Sequence, residues 1–358
     1  MARWKMIFTV CLLAVLFVGA THAQEEEGEA VPEPLPTLAD LSADWLTIPL
    51  EGETICSRGT PYQFFARRGN TNNLMIYFQG GGACWDRLTC DVGGTFDATV
   101  DDDELLFYDG IFDLSNPDNP LANYSMIFVP YCTADIHAGD AVTDYASNLR
   151  IQHNGYRNAA TVLDWVYETF PTPTRVFVSG SSAGAYGAIY HAPFILAQYP
   201  NADAIVLGDG GAGVTPVGWP VLADEWDIFA NMPDFIPALA EADPGTFTVN
   251  VLYQATAEAY PQARVAQFTH HNDDVQALYF MYSSLGSTFA DWVDGMRSAL
   301  DELEALPNFT SYIGAGDDHT ILALPEFYTL AVDDLTFRDW LIALLNGQQP
   351  ESVICTDC

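Results

Sequence analysis

The chain has 358 residues, 12 of them basic and 48 acidic, for a formal net charge of −36 at pH 7; 49% of its residues are hydrophobic. Such an acidic surface repels nucleic acid and anionic membranes, which excludes functions that depend on a broad basic face. It suits high salt, where screening shortens the self-repulsion.

The first 23 residues read as a signal peptide. Arg3 and Lys5 form a basic n-region, Met6 to Ala20 an apolar h-region, and Thr21-His22-Ala23 a small-residue cleavage site. The run is short for a transmembrane helix and charges follow at once, so no integral membrane span is expected. Cleavage removes two bases and no acid, taking −36 to −38, and implies a secreted or periplasmic location. Residues 24–40 turn from acidic to Pro-rich and read as a disordered leader. Residues 41–358 are then long enough for a single catalytic domain with one large core. Six cysteines remain, and an even count in an exported chain predicts disulfides. Cys84 with Cys90 and Cys355 with Cys358 are local pairs, which leaves Cys56 with Cys132.

Apolar, β-branched or aromatic runs between turn residues predict strands over 62–67, 74–79, 125–130, 175–179, 204–208, 248–254 and 309–314. Helical patterns cover 158–169, 185–199, 289–306 and 335–346. The alternation predicts an α/β fold with a mostly parallel central sheet and helices on both faces. Sites in such sheets lie beyond the carboxyl ends of the strands, and four segments fall there.

The first is Gln79-Gly80-Gly81-Gly82-Ala83-Cys84-Trp85. A glycine run after a central strand lets backbone N–H groups face a reacting carbonyl, so Gly81 or Gly82 is one expected oxyanion donor. The second, Tyr131 to Asp140, contains Asp135, His137 and Asp140 in a spacing that matches no zinc or EF-hand signature. We read it as a structured loop, and Asp101-Asp102-Asp103-Glu104 as an acidic loop, with no metal. The third is Gly180-Ser181-Ser182-Ala183-Gly184, a Gly-x-Ser-x-Gly turn between a predicted strand and a predicted helix. That arrangement lifts a serine hydroxyl out of an α/β-hydrolase sheet and makes the Ala183 N–H the second oxyanion donor. The fourth, Gly316-Asp317-Asp318-His319-Thr320, carries the last histidine of the chain after the last predicted strand. The hydrolase order is serine, acid, histidine. Asp273 and Asp274, in Thr269-His270-His271-Asn272-Asp273-Asp274, fit the middle place, and Asp209 at the end of another strand is the runner-up. His270 and His271 read as surface polar residues. In this reading His319 takes the Ser182 proton, the acid holds the imidazole, and an acyl-enzyme forms and is hydrolysed.

Together these segments resemble the pectin acetylesterase family, which includes the Notum carboxylesterases. The resemblance rests on Phe78 to Trp85, Gly180 to Gly184, Asp273-Asp274-Val275-Gln276 and Asp318-His319, and runs from about Thr54 to Leu324. It implies an α/β-hydrolase fold, a Ser-Asp-His triad and no cofactor. The family's acid stands three residues before a glutamine, which selects Asp273; its oxyanion donors fall on Gly81, Gly82 and Ala183. The sequence departs from the family at Ala185, often a second glycine, and at Ala83-Cys84-Trp85, where the tryptophan does not follow the glycines directly.

The expectation is an exported serine carboxylesterase, deacetylating O-acetyl esters of a small molecule or polysaccharide. A lipase, fatty-acyl or polyester hydrolase on the same triad, and a non-catalytic ligand-binding relative, are the alternatives. Trp85 and Tyr131 are candidate pocket residues, with Trp219 and Trp226 behind them. Arg58, Arg67, Arg68 and Arg87 cluster near the glycine segment, but exposed ion pairs are their expected role. A chain this acidic therefore favours a neutral or weakly charged ester over a polyanion.

Overall fold

A computed structural model describes residues 34–91 and 94–355. The expected signal peptide and Cys358, with its expected bond to Cys355, lie outside the described residues. In chain order β1 (Leu46–Leu50), β2 (Tyr62–Arg67) and β3 (Asn70–Phe78) precede the short helix α1 (Arg87–Asp91). Next come β4 (Tyr124–Val129), a hairpin of β5 (Ala141–Ala146) and β6 (Leu149–His153), and α2 (Gly155–Thr169). The centre is β7 (Arg175–Ser181), α3 (Ala183–Gln198), β8 (Asp203–Asp209), α4 (Trp219–Trp226), α5 (Pro237–Ala240) and α6 (Val249–Ala259). It continues through β9 (Arg264–His270), α7 (Asp274–Ser283), α8 (Phe289–Leu303) and β10 (Phe309–Gly314). A small ladder of β11 (Ala331–Val332) and β12 (Leu335–Thr336), then α9 (Phe337–Leu345) and β13 (Val353–Ile354), follow.

Nine strands form one sheet in the order β1-β2-β4-β3-β7-β8-β9-β10-β13. β2 is antiparallel to both β1 and β4; every later pairing is parallel. The parallel strands read as continuous apolar runs because both of their faces are buried. On β3, Leu74, Ile76 and Phe78 point into the core beneath α2, α3, α6 and α8, while Met75 and Tyr77 point into a second core under α9. Cys56–Cys132 and Cys84–Cys90 form as expected and pin the loops before and after the central strands.

Two sequence expectations are corrected. The predicted strand over 248–254 is helical, the start of α6. Its β-branched and aromatic residues suggested a strand, but Val249, Leu252, Tyr253 and Thr256 are buried at the i, i+3, i+4, i+7 spacing of a helix face. The strand that precedes the His270 segment is β9. Residues 36–40, placed in the expected leader, are tied down instead. The Trp165 indole N–H on α2 donates to the Pro36 carbonyl at 2.8 Å, and Asp40 accepts from the Thr37 N–H and hydroxyl.

Candidate active site

The turn after β7 is strained at one residue. Ser182 has φ 57° and ψ −123°, a conformation that costs a side-chain-bearing residue about 1–3 kcal/mol. Its neighbours make room for it. A Cβ on Gly180 would collide with the Gly184 carbonyl, and one on Gly184 with the Phe78 carbonyl. The Ser182 N–H donates to the Asp209 carbonyl at 2.7 Å, and α3 starts at the next residue.

His319 sits in the loop after β10. Its Nδ1 lies 3.0 and 2.8 Å from the two carboxylate oxygens of Asp273. A carboxylate only accepts, so Nδ1 carries the proton and Nε2 of the neutral ring is the free base. Nε2 is buried with no hydrogen-bond partner among the described residues. Asp273 is fully buried and N-caps α7, accepting from the Gln276 N–H at 2.9 Å and from the Gln276 side-chain amide at 2.7 Å. The same amide donates to the Thr269 hydroxyl, and its oxygen accepts from the Ala212 N–H. Gln276 thus ties the acid to the ends of two strands. Asp274, by contrast, is exposed on the first turn of α7.

Asp209 does not touch the imidazole through any hydrogen bond formed here. Its carboxylate accepts from the Ile321 and Leu322 N–H groups and, at 2.6 Å, from the Ser181 hydroxyl, which in turn accepts from Tyr77. Burial pushes the Asp209 carboxyl up, against these hydrogen bonds. Its place is under the elbow and the His319 loop, holding both. His270 is likewise no surface residue: it is buried at the end of β9, with Nδ1 2.7 Å from the Ala315 carbonyl. His271 is half-buried beside Arg297.

The glycine loop after β3 is pinned by an antiparallel bridge in which Ala83 N–H donates to Thr95 and the Asp97 N–H donates to the Gly81 carbonyl. The N–H groups of Gly81 and Gly82 bond to none of the described residues. Gly81 (φ 148°) and Gly82 (φ 77°) occupy left-handed backbone that glycine alone adopts freely. The loop rests on a buried layer. His137 Nε2 lies 2.8 Å from the Gln79 carbonyl, and Gln79 accepts from the Tyr131 N–H. Tyr131, expected in the pocket, belongs to this layer. It is buried behind Gly81, and its hydroxyl accepts from the Ile136 N–H. Asp135 accepts from Thr133, the His137 N–H and the Gly155 N–H. The described residues contain no group of ligands suited to a metal ion.

Ser182, Ala183, Gly82 and His319 open onto one cavity of about 770 Å³, counting its mouth. Trp85, Trp219 and Trp226 line it as expected, joined by residues no local motif announces: Trp292, Tyr186, Tyr279, Phe280, Val214, Leu222 and Val249. These come from α3, α4, α6, α7, α8 and the loop after β8, so only the tertiary fold assembles them. Among the described residues no arginine lines it. Arg67 is buried against the Ala43, Ala122 and Tyr124 carbonyls, Arg58 and Arg68 donate to carbonyls, and of these four only Arg87 makes the expected exposed ion pair among the described residues, with Asp91.

Residues 42–215 match the pectinacetylesterase family model. Two crystal forms of the Wnt deacylase Notum from Drosophila share the fold, with TM-scores of 0.59 and 0.61 at 16% and 15% identity. The alignments cover 86% and 87% of this chain and 94% and 95% of those chains. No curated protein sequence matches. The family match contains Ser182 and the glycine loop but ends before Asp273 and His319, whose contact is seen only in the structure.

Proposed function

We propose that this chain, which carries a pectinacetylesterase domain over residues 42–215, is an exported serine ester hydrolase that binds the acyl group of its substrate in the tryptophan-lined cavity. Ser182 Oγ attacks the ester carbonyl carbon while its proton passes to His319 Nε2, and Asp273 stabilises the imidazolium. The oxyanion is held by the N–H groups of Ala183 and of Gly81 or Gly82. The ester C–O bond breaks as His319 protonates the departing alcohol; water then hydrolyses the acyl-enzyme by the same groups in reverse order. The two disulfides support export to an oxidising compartment.

The observation that carries this reading is the pairing of a fully buried Asp273 with His319, which lines the same cavity as Ser182. The cavity's apolar wall favours an acyl chain longer than acetyl. Transfer of each methylene from water to such a wall contributes about 0.8 kcal/mol, a gain a two-carbon acyl group forgoes. Notum, described as a Wnt deacylase, also releases an acyl group. An O-acetyl ester is the second reading, supported by the family match.

The test is hydrolysis of p-nitrophenyl esters from acetate to palmitate by wild type and Ser182→Ala. We expect kcat to fall by about 10⁴-fold or more in the variant, and kcat/KM of the wild type to rise from acetate into the medium chains. Equal rates for the two proteins remove the mechanism. A maximum at acetate selects the second reading.

A further inference from the structure

The chain has 48 acidic residues, yet several stretches carry no charged side chain, and two of these, residues 210–223 and 275–290, also present large exposed apolar side chains. They meet in the fold. The Gly218 N–H donates to the Ser283 carbonyl at 2.9 Å, and the Val217 N–H to the Ser284 hydroxyl at 2.9 Å. Their inward residues, among them Pro216, Trp219, Tyr279 and Phe280, line the cavity. Most of their exposed side chains are apolar too. Val217 is 84% exposed, Val221 60%, Tyr282 55% and Leu285 98%. In α7 only Ala277 is buried, yet the helix is apolar on every side past its first residue apart from Gln276 and Ser283. A helix apolar all round belongs in a core or against an apolar medium, and a contiguous exposed apolar patch marks a contact surface.

We propose that this charge-free lip docks the enzyme on an uncharged or zwitterionic lipid surface, so that an ester passes from that surface into the cavity without crossing water. The proposal rests on the ester-hydrolase reading and names the physical state of its substrate. Three observations select this occupant. The lip is continuous with the cavity, so whatever covers it delivers directly to Ser182. It has no charge to pair with a charged partner. The rest of the molecule, at −36, is repelled by an anionic membrane. Tyr282, with an apolar ring and a polar tip, suits the boundary between headgroups and water.

The experiment is co-sedimentation of the protein with phosphatidylcholine vesicles and with vesicles enriched in phosphatidylglycerol, at low ionic strength. It compares wild type, Val217→Asp with Leu285→Asp, and Leu278→Ser with Tyr282→Ser. None of the four residues lines the cavity or touches the proposed reacting groups. Wild type is expected to bind phosphatidylcholine vesicles and to bind the anionic ones less. Each double variant is expected to lose at least about tenfold in vesicle partitioning, while hydrolysing soluble p-nitrophenyl acetate at the wild-type rate. Absent wild-type binding, equal binding by the variants, or preference for anionic vesicles overturns the proposal. So does a wild-type dimer that the variants convert to monomer with vesicle binding unchanged, because the lip would then be an interface between copies. If wild type and Ser182→Ala hydrolyse the soluble ester equally but vesicle binding behaves as expected, the ester-hydrolase reading fails and the docking stands.

Discussion

The floor and the wall of the cavity are built by opposite rules. The floor is a set of buried and half-buried polar groups at strand ends, each held by named hydrogen bonds: Ser182 through Asp209, His319 through Asp273, Asp273 through Gln276. The wall, from α4, α6, α7 and α8, is almost wholly apolar and presents shape in place of directed bonds. Removing one partner of a buried polar pair leaves the other unsatisfied, whereas an apolar wall tolerates substitution as long as volume is kept. In the proposed reaction the floor therefore fixes which bond is attacked, and the wall grades which substrates fit.

The largest effect should separate two carboxylates within the floor. Asp273→Asn should lower kcat by about 10⁴-fold, because the amide no longer fixes the imidazole tautomer, and its NH2 would face one of the two Gln276 donors, costing about 1–3 kcal/mol of stability. Asp209→Asn should cost a similar amount of stability, because its NH2 would face the N–H of Ile321 or of Leu322, but with a far smaller drop in kcat. Steady-state kinetics and thermal denaturation of both variants check this. If Asp209→Asn loses activity as severely as Asp273→Asn without loss of stability, the assignment of the two acids is reversed.

A smaller effect is expected from the wall. Val214, in the loop after β8, is only partly buried and lines the cavity. Val214→Phe should leave hydrolysis of an acetate ester within about threefold of wild type and cut kcat/KM for an octanoate ester by about tenfold to a hundredfold. An equal fall for both esters would mean that the loop acts on the floor, and the division between the two regions would not hold there.

The same contrast governs how much was legible in the sequence. The floor could be read because a strained turn, a glycine run and a loop histidine each need a particular residue type at a particular strand end. Ser182 and His319 do line one cavity and Asp273 does bond to His319, although the strand placed before Asp273 was wrong. The residues 249–254 look like a strand by composition, and only their burial spacing shows the helix α6. Support residues were harder to read. Tyr131 has the side chain of a pocket residue, but its backbone position behind Gly81 makes it a prop. Asp209 looked like a rival acid, and only its bonds to the 321–322 backbone show what it holds. The wall was nearly invisible, since Val214, Leu222, Val249 and Trp292 lie far apart in the chain and resemble ordinary core.

The smallest expected effect, a pH dependence of stability, should come chiefly from the floor, because its supporting layer contains fully buried titratable groups. Burial lowers His137 to about 3 and His153 and His191 to about 4, so these three are neutral in the native protein over a range where the unfolded chain protonates them. Their contribution is present above the unfolded value near 6.5 and is lost as pH falls below it. A buried carboxyl opposes this. Asp135 is raised to about 7, chiefly by burial, so the native state holds a proton that the unfolded chain releases. Its contribution grows as pH falls, and burial raises Asp209 in the same direction. Three histidines against these carboxyls leave a net uptake of protons on unfolding between pH 6.5 and 5, above the range where exposed acids titrate. Each net proton corresponds to about 1.4 kcal/mol per pH unit, so the melting temperature should decline toward pH 5. Asp135→Asn removes an opposing proton and should steepen the decline. A melting temperature that rises toward acid in both proteins would place the titrating groups outside this layer. An unchanged slope in the variant would mean that Asp135 is ionised in the native state, its three donors outweighing its burial.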